Sequence, residues 1–282
     1  MELRQVKGVD WARKREKEAS LMRRRVFLSV LWLVILGAFV LNGQTASDFL
    51  PTHYYILSMG EVATDVGTLG ESMKDAGFTV LTYDGEDATV YRGTELASDV
   101  SVQDALADDA VLVIDADRFY LRATETAFTY VVRPATDGYE LVISPSEDIA
   151  IQDALASLLM SLQDFGVLGN SVDLEYTAYA KSDLKGPASP AGASIDSLLY
   201  RLVVSEDWHT FAATNSLSMV GLRVDVVAEI LPDGVLPEAF APFAFEQTDQ
   251  LAELLVPVDL LVTLASSESI GYIRPPYQPA VP

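Results

Sequence analysis

Few residues in this 282-residue chain are equipped for chemistry. Two histidines, His53 and His209, and no cysteine rule out a multi-histidine centre and any thiolate for metal, haem or lipid attachment. No metal site and no cofactor are expected. A serine-histidine-aspartate triad would depend on His209, in Glu206-Asp-Trp-His209, which is better placed to satisfy a turn than to catalyse. No nucleophile elbow, Walker loop, dinucleotide fingerprint or His-Glu-x-x-His is present. Carboxylates are abundant, but Asp84-Gly-Glu-Asp87 and Asp115-Ala-Asp117 lack the twelve-residue spacing of a calcium loop. A glycosidase-like carboxylate pair is defined in space rather than in sequence, so carboxylate hydrolysis stays open with no residue to name. No catalytic residue is assigned. Phe240, Phe243 and Phe245, in a proline-punctuated loop, form either an apolar contact patch or a cover for the domain's own core.

What must position these groups begins at a membrane. Val26 to Gly43 is a long uncharged, mostly apolar run preceded by Arg23, Arg24 and Arg25. Eighteen residues of helix span about 27 Å, close to the hydrocarbon thickness of a bilayer. Residues 1 to 43 hold nine Lys/Arg and four Asp/Glu, leaving ten and 37 for the rest, a net charge of −27 after Gly43. The positive-inside rule then puts the N-terminus in the cytoplasm and the remaining 239 residues on the periplasmic or extracellular side of the plasma membrane. The long preceding region and Trp32 favour an uncleaved anchor over a signal peptide. Arg24-Arg-Val-Phe-Leu28 resembles a twin-arginine export signal, but Arg23, Ser29 and the greasiness of the run fit ordinary insertion better.

Residues 1 to 25 read as a basic cytoplasmic helix, capped by Asp10, that faces anionic head groups or merely sets topology. Within the span, Trp32 sits mid-membrane and Ser29, Leu33, Gly37 and Leu41 share one stripe. Small residues and a misplaced indole suggest packing against another membrane helix or a cofactor. These five are the candidate membrane-partner contacts.

Outside, residues 44 to 52 form a connector and the fold class is mixed α+β in two units. Residues 53 to 180 read as a β-α-β-β opening, a short helix Val102 to Ala107, four strands between Ala110 and Ser144, a helix from Ile149 to Phe165, and a strand around Tyr176. Lys181 to Ser194 is the linker, rich in Gly, Pro, Ser and Ala. Residues 195 to 274 read as a helix Ile195 to Leu202, a strand Val220 to Ile230, a helix Thr248 to Leu255, and strands Val258 to Leu264 and Ile270 to Ile273; an extended tail, 275 to 282, follows. Asp99-Val-Ser-Val-Gln-Asp-Ala-Leu-Ala107 echoes Asp148-Ile-Ala-Ile-Gln-Asp-Ala-Leu-Ala156, with a looser match at Asp249-Gln-Leu-Ala252. Repeated strand-strand-helix modules and convergence on one style of helix start both explain it.

The acidity belongs to a folded surface, since half the chain is apolar. It serves solubility or a salty medium, or it docks basic proteins or cations; nucleic acid, which needs a basic face, is disfavoured. The expected function is a single-pass accessory or scaffold subunit of an integral membrane complex, its acidic domain contacting proteins, among them a basic soluble partner. The alternative is an anchored envelope enzyme hydrolysing cell-wall or glycan material.

Overall fold

A computed structural model of the chain describes residues 49–62, 64–146, 151–168, 176–181 and 189–277. The basic segment, the apolar segment with Ser29, Trp32, Leu33, Gly37 and Leu41, and the end of the tail lie outside the described residues. Among the described residues no helix is long and apolar enough to cross a membrane.

The class is α+β, built on two sheets. Hydrophobic runs rich in Val, Ile and Tyr give β1 (His53–Gly60), β2 (Thr79–Asp84), β3 (Asp87–Arg92), β4 (Glu95–Leu96), β5 (Ala110–Asp115), β6 (Arg118–Thr124), β7 (Phe128–Ala135), β8 (Gly138–Pro145) and β9 (Tyr176–Ala180). They form a nine-stranded sheet in the order β4-β3-β2-β5-β6-β7-β8-β1-β9, antiparallel except for β2 beside β5. The second sheet takes β10 (Met219–Val220), β11 (Arg223–Ile230), β12 (Ala244–Gln247), β13 (Leu251–Pro257) and β14 (Ile270–Arg274) in the order β10-β11-β13-β12, with β14 also on β11.

Helices start where short polar side chains can cap them. Asp65 accepts from Thr68 N at 2.9 Å ahead of α1 (Val66–Asp75), and Ser101 from Asp104 N at 3.1 Å ahead of α2 (Val102–Leu106). After α3 (Ile151–Asp164), Asp196 and Asp207 cap α4 (Ser197–Val204) and α5 (Trp208–Thr214) in the same way, and α6 (Leu261–Ala265) follows a single 3-10 turn.

The period of two in the strands separates the two faces of the large sheet. Leu81, Val113, Tyr120, Val131 and Val142 join one hydrophobic cluster with Leu199 and Leu202 of α4, Trp208 and Ala212 of α5, and Val224, Val226, Leu254 and Val256 of the second sheet. The opposite face carries Val80, Leu112, Ile114 and Leu121, all buried; there α1 comes so close that a Cβ on Gly70 would lie 3.0 Å from Ile114 Cδ1. The cluster thus draws on residues from both sides of Lys181 to Ser194, and from Phe49 onward the chain forms one compact unit.

The second sheet departs from expectation in four places. Leu251–Pro257 is a strand where a helix from Thr248 was expected, because Ala252, Leu254 and Val256 are buried while Leu251, Glu253 and Leu255 face outward, a period of two hidden in an apolar run. Val258 to Leu264 is helical rather than extended: Pro257, with φ fixed at −53°, opens the 3-10 turn, and Leu261, Leu264 and Ala265 take the helical spacing of a buried stripe. Val220 to Ile230 is broken into a hairpin at Gly221, whose φ is +59°. The looser echo at Asp249 to Ala252 falls on the turn into β13, whereas the first echo opens a helix.

Candidate functional site

The densest polar convergence lies on the inner face of the large sheet, at the three residues Ser205-Glu-Asp207 that join α4 to α5. Four strands reach it. Tyr54 on β1 donates to the Val204 carbonyl at 2.7 Å, Tyr120 and Arg122 on β6 donate to Asp207 at 2.9 and 2.8 Å, Arg133 on β7 donates to the Ser205 carbonyl, and Ser144 on β8 donates to Glu206. Alternation places these side chains on one face, so their meeting at one link follows from the strand order.

Asp207 also accepts from the backbone N and the Oγ1 of Thr210, at 3.0 and 2.8 Å. Burial alone would raise its carboxyl, but the Arg122 guanidinium and the bonds from Arg122 and Thr210 outweigh burial and hold it below the ordinary carboxylate range. An ionised carboxylate with four donors on it has no lone pair free for a substrate proton. Burial, and then the charge of Asp207, pushes the Tyr120 hydroxyl well up. Arg133, 1% exposed, donates to Glu140 at 3.2 Å and lies 5.1 Å over the Trp208 ring.

His209 sits in α5 with its ring edge-on to Tyr120 at 5.0 Å. Its Nε2 is buried without a hydrogen-bond partner, and burial pushes its pKa down to about 4. It is therefore neutral at physiological pH, it lies in a helix rather than in the turn expected of it, and among the described residues no hydrogen bond joins it to a serine. His53 pairs instead with Thr52 Oγ1 at 3.0 Å. Two clefts flank α5. One, of about 490 Å³, is lined by Ser144, Arg201, Glu206, Thr210, Phe211 and Asn215; the other, of about 500 Å³, by Asp108, Arg122, Thr124, His209 and Ala213.

A second feature is electrostatic. Seven of the nine Lys/Arg among the described residues are paired with carboxylates, from Lys74–Glu71 to Arg274–Glu229. Several of these pairs join elements: Arg118 grips Asp259 at 2.6 Å, and Asp115 takes both Leu222 N and Arg223 Nε at 3.0 Å. Lys181 donates to the Pro145 carbonyl, and Arg201 lies over Phe211. Among the described residues the cations are thus tied to carboxylates, backbone carbonyls or rings of the same chain, and the other described acids have no ion-pair partner.

Of the three candidate phenylalanines, Phe240 is buried and Phe243 packs on the core cluster, with ring centroids 6.4 Å apart, while Phe245 on β12 is 62% exposed. Two therefore cover the core and one is free to make contacts. Sequence reading missed the Ser205 to Asp207 link and α5, although Asp207 directly before the apolar Trp208 is a helix-start signal. Among the described residues no cluster of three His, Asp or Glu has metal-binding geometry. Comparison of the chain with protein-family models, with curated proteins and with solved structures finds no match.

Proposed function

We propose that this chain is a single-pass accessory subunit of a plasma-membrane complex, anchored by Val26 to Gly43 with its N-terminus in the cytoplasm, whose acidic α+β region docks basic proteins on the outer side. The observation that carries the reading is the use of cations: with nearly every described Lys and Arg tied into an internal pair, the surface presents a one-sided negative field. Such a field attracts and orients basic partners. Salt adaptation alone would also make a surface acidic, but it calls for no exposed apolar groups. Of the seven exposed large apolar residues among those described, four lie between Leu231 and Leu251, which supports docking. Against a carboxylate hydrolase stands the occupancy of Asp207, whose lone pairs are committed to Tyr120, Arg122 and Thr210.

The anchor and the outer region are separable in test. Protease added to intact spheroplasts should digest beyond Gly43 and spare the segment before Arg23; protection of the C-terminal region until the membrane is opened would overturn the orientation. Trp32→Leu with Gly37→Leu should release the membrane partner while insertion persists. Retention of that partner in full would move the interaction wholly to the outer region.

A further inference from the structure

The outer face of the five-stranded sheet is built unlike the rest of the surface. Its inner residues, Val224, Val226, Leu254 and Val256, are buried in the core cluster, so alternation turns Asp225, Val227, Glu229, Leu251, Glu253 and Leu255 the other way; of these Val227, paired with Arg274 of β14, is buried, Glu229 and Leu251 are exposed, and Asp225, Glu253 and Leu255 are half-buried. The cross-strand register brings acids together. Glu246 on β12 stands directly opposite Glu253 on β13, and Asp225 on β11 is paired with Leu255, one diagonal step from Glu253. Like charges directly opposite destabilise a sheet.

Among the described residues no cation relieves them. Arg223 is drawn off to Asp115 and the Gly85 carbonyl, and Arg274 to Glu229, the Pro275 carbonyl and the ring of Tyr277. Burial, and then the charge of Glu253, raises the Asp225 carboxyl, with no guanidinium or ammonium acting against them. Beside these acids stand Phe245, Leu251 and the half-buried Leu255, and β12 is the edge of the sheet among the described residues. Solubility would place isolated acids here and no exposed phenylalanine.

We propose that this sheet face docks an extended protein segment in which lysine or arginine alternates with aliphatic residues, the cations settling among Asp225, Glu246 and Glu253 and the aliphatic groups on Phe245, Leu251 and Leu255. This rests on the reading of the outer region as a docking surface and gives it a location and a partner chemistry. A cation seated there would neutralise the acids flanking Glu253 on both sides, and the period of two in the segment matches that of the sheet.

The test uses the full chain in nanodiscs of zwitterionic lipid and a fluorescent Lys-Val-Lys-Val-Lys-Val peptide, read by anisotropy at low salt. Asp225→Asn with Glu246→Gln and Glu253→Gln should weaken binding tenfold or more. A charge-matched control at the far edge of the large sheet, Asp84→Asn with Asp87→Asn and Glu95→Gln, should weaken it less than twofold. Phe245→Ser with Leu251→Ser should weaken this peptide but not Lys-Ser-Lys-Ser-Lys-Ser. Thermal unfolding checks that each variant is folded, and the acid-to-amide triple should melt no lower than the parent. Equal loss in the face and control triples would overturn the site while leaving an acidic docking protein; no binding of either peptide to the parent chain would overturn both.

Discussion

His209 links the fold to pH through a single ring. Its value of about 4 in the folded chain lies below the ordinary 6.5, so between those limits the unfolded chain takes up a proton that the folded chain refuses. The stability it contributes is complete above pH 6.5 and is lost as pH falls toward 4. At most this is about 3 kcal/mol, from about 1.4 kcal/mol per pH unit. Asp207 acts in the same direction lower down, since its depressed carboxyl contributes stability that disappears on acidification. His209→Phe, which keeps a ring against Tyr120 and has no proton to gain, should reduce the loss of unfolding free energy between pH 7 and pH 4.5 by about 2 kcal/mol relative to the parent chain. Identical pH profiles by urea titration would mean that the ring is solvated in the folded state. None of this was legible from the sequence. His209 was visible only as one of two histidines, and its burial depends on Tyr120, 89 positions earlier in the chain.

At the scale of elements, Gly221 is where the two sheets are fastened. Its φ of +59° makes the turn between β10 and β11, and a Cβ there would collide with the carboxylate of Asp115, which holds Leu222 N and Arg223. Gly85 has a similar φ of +64° but open space around it. Gly85→Ala should therefore cost only backbone strain, about 1 kcal/mol, whereas Gly221→Ala should cost about 2 kcal/mol more because the Asp115 clasp must open. Equal losses in chemical denaturation would show that Asp115 yields freely. The strands of the large sheet were readable because alternation and turn residues agree, as in Phe78 to Tyr83 followed by Asp84-Gly85. The exchange of helix and strand between Leu251 and Ala265 was not readable from composition, because Leu, Val and Ala serve both states and only Pro257 marked the change. The small hairpin at Gly221 and the strand Ala244–Gln247 were missed for a related reason: each is short and takes its shape from its pairing partners.

For the whole molecule, the compositional break at Lys181 to Ser194 and the core disagree about what is separate. Tyr54 bonds to Val204, Arg118 to Asp259 and Asp115 to Arg223, and one apolar cluster runs through both sheets. Proteolytic nicking at the exposed stretch around Ser189 to Gly192 should therefore cut the backbone without parting the halves. Gel filtration under native conditions should return one particle of unchanged size, and two separately eluting folded fragments would contradict the shared core. At this scale the proposed placement rests on the sequence alone, on an apolar run behind three arginines and a lopsided charge. Which acids are neighbours was not legible, because Asp225, Glu246 and Glu253 come together only through strand register.

The central claim is that this chain works as one member of a membrane assembly. Its most direct test is the composition of the particle purified through the chain from native membranes in mild detergent at low salt. The account predicts a complex much larger than the 30.7 kDa chain, with a second protein in fixed stoichiometry. A homogeneous monomer, free of any other protein, would contradict it.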